Sequence, residues 1–191
     1  MVAVFAPLAG LLLGFLDFVW IKFVPAPFGG LGNSIAVWAV AAFLLTYYRR
    51  WAMGPAIAGA VIMLVVAVPT YYVAATLIQN DDWSNIGAPS SVLWMGLGVV
   101  AGVVFGAGGV LARSPGRLRR PALGLPAAVL LAEIVLRPDG LAYTLVLIGL
   151  AVLITVLAGR TGRDRILALA WSVPLGALGY LLMITTAFRG L

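Results

Sequence analysis

An all-α, polytopic membrane bundle of about seven transmembrane helices is the fold this sequence predicts, and three observations predict it. First, 63% of the 191 residues are hydrophobic and 9% are charged, with a mean hydropathy of +1.12; soluble domains run at roughly 45–50% and 25%. Too few polar residues remain to cover a globule in water, so lipid must be the solvent of most side chains. Second, the chain divides into seven apolar stretches of about the length a helix needs to cross a hydrocarbon layer of about 30 Å. Third, the cations gather in alternate gaps: Arg49 and Arg50 after the second stretch, Arg113, Arg117, Arg119 and Arg120 after the fourth, and Arg160, Arg163 and Arg165 after the sixth. Short cytoplasmic loops collect positive charge, so the N-terminus is expected to be cytoplasmic and residues 1–191 to form one transmembrane domain. The net charge of +6 then reads as topology rather than as nucleic-acid binding.

Taken in order, the first stretch (3–24) carries Gly10 and Gly14 on one face and Asp17 inside it. It lacks the basic leading region of a secretory signal and is too long for one. The second (33–48) opens on Asn33 and Ser34 and ends at the arginine pair. The third (53–78) contains Pro69, followed by Tyr71 and Tyr72; a proline removes a ladder donor, so a kink is expected there. An acidic gap, Asn80 to Asn85, leads to the fourth stretch (91–112), where Gly98, Gly102 and Gly106 recur every four residues. Such stripes let helix backbones approach closely in lipid and make oligomerisation through them an expectation. The fifth (120–136) is the weakest, with Pro121 and Pro126 near its start and Glu133 within it. The sixth (141–159) is uninterrupted, and the seventh (165–187) holds Pro174 and Tyr180. No internal repeat is evident along the chain.

Cysteine and histidine are both absent, which removes disulfides, Cys/His metal sites and every imidazole-dependent triad. Four of the six acids lie in loops; Asp17 and Glu133 do not. A charge at the bilayer centre costs about 2.5–3.5 kcal/mol on insertion scales, so embedded acids face the bundle interior and mark functional sites. Asp17 precedes Lys22 by five residues and Glu133 precedes Arg137 by four, which places both about 6–8 Å below the outer boundary. Each could pair with its own neighbouring cation. Alternatively, the two could share a polar pocket in which one stays protonated near neutral pH. Trp20, Asn33, Trp38, Tyr71, Tyr72, Trp94 and Tyr180 fall near the same ends of their stretches and are the candidate substrate-binding residues. Trp20 stands three positions after Asp17, on the same helical face, and aromatic faces beside an acid suit a carbocation.

The segment Leu31-Gly32-Asn33-Ser34-x-Ala36-x-Trp38, the following Arg49-Arg50, Gly54-Pro55, Tyr71-Tyr72 and the glycine-rich stretch from Trp94 to Gly106 together resemble a group of small bacterial multi-pass proteins of unknown function. That resemblance covers about the first 110 residues and implies an integral protein of the bacterial plasma membrane. The size, the number of stretches and the two embedded acids also resemble the membrane-integral terpene cyclases of meroterpenoid and indole-terpenoid pathways. This second likeness implies an isoprenoid cyclase needing neither metal nor cofactor, with a prenylated, lipophilic substrate arriving from the membrane lipid. Asp17 and Glu133 would then be the acid and its partner or final base. Asp81-Asp82-x-x-Asn85 resembles the aspartate-rich motif of soluble prenyl-chain enzymes, but its one copy lacks a basic clamp, so no metal is assigned. The alternative reading is a small transport or solute-binding subunit with an outward-facing polar pocket.

Overall fold

The computed structural model describes residues 2–186, and within them every side chain but those of Asn33, Thr185 and Thr186. Seven α-helices account for most of this length: α1 (Val2–Phe23), α2 (Ile35–Arg49), α3 (Met53–Gln79), α4 (Pro89–Arg113), α5 (Arg119–Leu136), α6 (Leu141–Ala158) and α7 (Gly162–Thr186). Two short 3-10 helices, Phe28–Asn33 and Trp83–Gly87, bridge α1 to α2 and α3 to α4. Among the described residues there is no strand.

Helix ends follow local chemistry. Ser34 caps α2 by accepting a hydrogen bond from the Val37 N–H at 3.1 Å, which moves the start to residue 35. Arg50 and Asn80 close α2 and α3 in the left-handed conformation, with φ of 53° and 60°. Proline opens α4 at its first position, where its missing N–H is no loss. At α7 the Thr161 hydroxyl accepts from the Asp164 N–H at 3.1 Å, so the helix begins at 162 rather than 165. Both α3 and α7 continue through Pro69 and Pro174.

Five of the seven helices are long and apolar enough to cross a membrane: α1, α3, α4, α6 and α7. The expectation of seven crossings therefore splits into two classes. Fifteen residues make α2 about 22 Å long, short of a full crossing. The 18 residues of α5 include Arg119, Arg120 and Glu133. Several apolar helices of this length make the chain an integral membrane protein.

The chain divides into two compact units, residues 1–110 and 111–191. In the first, α1 and α3 run parallel: Gly10 faces Met63 and Val66, and one turn later Gly14 faces Ala67 and Tyr71. Helix α4 runs antiparallel to α3, with Gly98, Gly102 and Gly106 against Leu64, Val61 and Ala60 in turn. A Cβ on Gly102 would lie 2.6 Å from the Val61 Cα, so the absence of a side chain sets this approach. The glycine stripes expected to serve oligomerisation are thus occupied inside the first unit. Arg49, at the end of α2, places its guanidinium 3.7 Å over the Phe5 ring at the start of α1.

The second unit repeats this construction. Its first and third helices, α5 and α7, are also parallel: Gly124 meets Ala168 and Ser172, and Gly176 meets Ala128 further along. Leu123, Leu130 and Leu147 fill the interior among α5, α6 and α7.

Candidate functional site

Each unit buries one carboxylate near the C-terminal end of its first helix, and each carboxylate meets an aromatic donor from the helix that follows. In the first unit Asp17 is 8% exposed. Its α1 face is made narrow by Ala6, Gly10 and Gly14, so the carboxyl is carried to the α3 side, beside Phe18. The Trp38 indole N–H, from the first turn of α2, donates to the Asp17 carboxyl. From α3, Tyr71 lies within electrostatic reach of Asp17. The Tyr71 ring meets Phe18 edge to face at 5.4 Å and Tyr72 at the same separation. No cation lies within salt-bridge distance of Asp17 among the described residues. Lys22, its expected partner, turns instead to the Gln79 Oε1 at 3.4 Å, and Gln79 donates to Asp81 at 2.9 Å.

In the second unit Glu133 is 4% exposed and its surroundings differ. The Tyr143 hydroxyl donates to Glu133 Oε1 at 2.8 Å, and the Arg137 guanidinium approaches the same oxygen at 3.8 Å. Arg137 also holds Asp139 at 3.0 Å and lies 5.9 Å from the Tyr143 ring centre. The expected pairing of an embedded acid with its own cation is therefore realised for Glu133. Guanidinium and phenol thus converge on one oxygen of Glu133. At Asp17 the Trp38 indole is the hydrogen-bond donor.

The structure brings Asp17, Trp38, Tyr71 and Tyr72 into one neighbourhood and leaves others of the candidate set elsewhere. Trp20 is 43% exposed, and its indole donates to the Phe28 carbonyl at 2.8 Å, so it faces away from the acid. Trp94 is half-buried on α4, while Glu133 and Tyr180 lie in the second unit. Asn33 ends the first 3-10 helix, and its side chain is outside the described residues. Tyr143 and Phe18 are contributors that sequence reasoning passed over. The signal for Tyr143 was its place ten residues after Glu133, across a turn of four residues.

Among the described residues there is no group of three or more acids, histidines or cysteines that could hold a metal. In the acidic gap Asp82 accepts from the Ser84 N–H at 2.8 Å, which caps the following 3-10 helix and holds the Asp82 carboxyl below the usual carboxylate range. Asp81 faces Gln79.

Comparison with known proteins adds one finding. The sequence profile of a family of unknown function, DUF6518, matches residues 1–187, well beyond the 110 residues over which a resemblance was expected. No curated protein and no solved structure matches the chain, and the likeness to terpene cyclases finds no support there.

Proposed function

The chain belongs to the DUF6518 family of unknown function, and for it we propose a membrane-embedded acid catalyst that cyclises an isoprenoid, with Asp17 as the proton donor. The observation that carries this reading is the setting of Asp17: buried, with no cation in salt-bridge distance among the described residues, held by the Trp38 indole and near Tyr71, whose ring meets those of Phe18 and Tyr72. A protonated carboxyl there would open a terminal epoxide, or protonate an alkene, on a substrate entering from lipid. Aromatic faces would steady the migrating positive charge without trapping it. The carboxylate left on Asp17 would take back the final proton, so the product has the mass of the substrate. Glu133, held by Arg137 and Tyr143, has a structural part in this scheme rather than a share in proton transfer. The N-terminus on the cytoplasmic side and a bacterial plasma-membrane location belong to the same reading.

The test is turnover. Purified protein incubated with an epoxidised prenyl compound should give a cyclic product of unchanged mass. Asp17→Asn should lower the rate by about a hundredfold or more while the protein keeps its thermal midpoint. Equal turnover by Asp17→Asn and the parent protein would remove the proposal.

A second reading, a transport or solute-binding subunit, draws on the construction shared by the two units. Each unit pairs its first and third helices side by side, and internal structural repeats underlie several transporter folds. A ligand bound tightly and recovered unaltered would favour it over the cyclase.

A further inference from the structure

Net charge is distributed unevenly in this molecule. Seven of the twelve cations are arginines in the two segments 113–120 and 160–165, and one acid, Asp164, lies among them; elsewhere five cations meet five acids. The whole formal charge of +6 therefore resides at one end of the second unit, where α5 and α7 begin. These helices are parallel, so their N-termini add positive partial charge at the same end.

Part of this charge is used internally. Arg119 and Arg120 reach Asp164 at 3.0 and 3.5 Å, which ties the start of α5 to the start of α7. Arg160 donates to the Arg113 carbonyl at the end of α4 (3.5 Å), and Arg165 to the Gly159 carbonyl at the end of α6 (3.1 Å); both sit where helix dipoles are negative. One carboxylate cannot neutralise this set. Arg117 and Arg163 are exposed and make no hydrogen bond or ion pair among the described residues, and the Nε of Arg119 is buried without a hydrogen-bond partner. Apolar side chains interleave with the charges: Leu118 is 60% exposed beside Arg117, and Ile166 is 69% exposed beside Arg165.

We propose that this end is a binding surface for anionic membrane lipid, with Arg117 and Arg163 receiving the headgroup phosphate and Leu118 and Ile166 lying along the acyl chains. Guanidinium groups match phosphate oxygens in geometry as well as charge. The exposed leucine and isoleucine favour a lipid over free phosphate or nucleic acid, because neither of those would cover apolar surface. The proposal is independent of Asp17 and of any cyclase activity.

The experiment uses the full chain purified in neutral detergent, with binding read by native mass spectrometry and thermal unfolding. The probes are dioleoylphosphatidylglycerol, dioleoylphosphatidylcholine, inorganic phosphate and a short oligonucleotide. Phosphatidylglycerol should bind at least tenfold more tightly than phosphatidylcholine, with a preference that declines as salt rises. Arg117→Gln with Arg163→Gln should reduce that preference on the order of tenfold and leave the thermal midpoint in phosphatidylcholine unchanged. Arg163→Gln alone should act in the same direction by a smaller factor, which keeps the test open if the double variant folds poorly. Arg50→Gln, at the end of α2, should leave the preference intact. Equal binding of the two lipids would overturn the proposal, as would an Arg50→Gln effect as large as that of Arg163→Gln, or phosphate or oligonucleotide displacing the lipid at equal concentration.

Discussion

Two buried acids on equivalent helices are held by different means, and the difference decides what each can do. Glu133 sits between a guanidinium and a phenol, and removing either should be costly to different degrees. Arg137→Gln strands a buried carboxylate and should lower stability by about 3–5 kcal/mol. Tyr143→Phe removes one donor from a charged acceptor and should cost about 1.5–3 kcal/mol. Chemical or thermal unfolding in detergent should return them in that order; the reverse order would mean that the phenol, not the guanidinium, holds Glu133. Asp82 gives a pH prediction outside the membrane. Its folded carboxyl is held low by the Ser84 N–H, so the cap is intact above the ordinary aspartate range and is lost as pH falls through the lowered folded value. The protection of the Ser84 amide against hydrogen exchange, relative to its intrinsic rate at each pH, should fall over that acid range and be low at all pH values in Asp82→Ala. At this scale the sequence was partly legible. Asp17 and Glu133 could be found because a charge in an apolar helix is conspicuous. Their partners could not, because Trp38 and Tyr143 come from the following helices across loops of unequal length. Trp20 misled for the opposite reason: its spacing from Asp17 is helical, but the Phe28 carbonyl beyond the end of α1 turns it outward.

Helix boundaries were the most legible part of the chain, since glycine, proline, asparagine and arginine clusters punctuate it. All seven helices lie within a few residues of the expected stretches. Adjustments at α2 and α7 come from the Ser34 and Thr161 caps, whose effect depends on hydroxyl geometry rather than on hydropathy. Pairing between helices was less legible, because a glycine stripe announces a close contact without naming the partner. The contrast between used and unused glycines is testable. Gly102→Leu would drive a side chain into the Val61 backbone and should destabilise the protein by about 3 kcal/mol, as overpacking does. Gly149→Ala places a methyl in open space and should be neutral or slightly stabilising. Thermal midpoints of the two variants in the same detergent check both; a neutral Gly102→Leu would contradict the close approach of α4 and α3.

For the molecule as a whole, the charge distribution described above links architecture to the membrane. Asp164, whose N–H is held by the Thr161 cap, joins α7 to α5 through Arg119 and Arg120. Asp164→Asn should therefore loosen the second unit, costing about 1–3 kcal/mol, and make the peptide between Arg113 and Arg119 more susceptible to trypsin. Unchanged digestion would place the stability of that end in α5 and α7 packing alone. The arginines were visible in the sequence as topology markers. Their attachments to helix ends were not, since they depend on which carbonyls the fold brings near.

The parallel pairing of α1 with α3 also fixes an order of events during synthesis. Gly14 meets Ala67, and the residue that completes the contact leaves the ribosome some fifty residues later, about 3–10 s at ordinary elongation rates. For that interval α1 enters the bilayer with its small-residue face and its embedded aspartate lacking the α3 partner. The second unit imposes a similar wait on Gly124 before Ala168 is made. In each unit the acid-bearing helix is therefore made first and gains its parallel partner only when the third helix arrives.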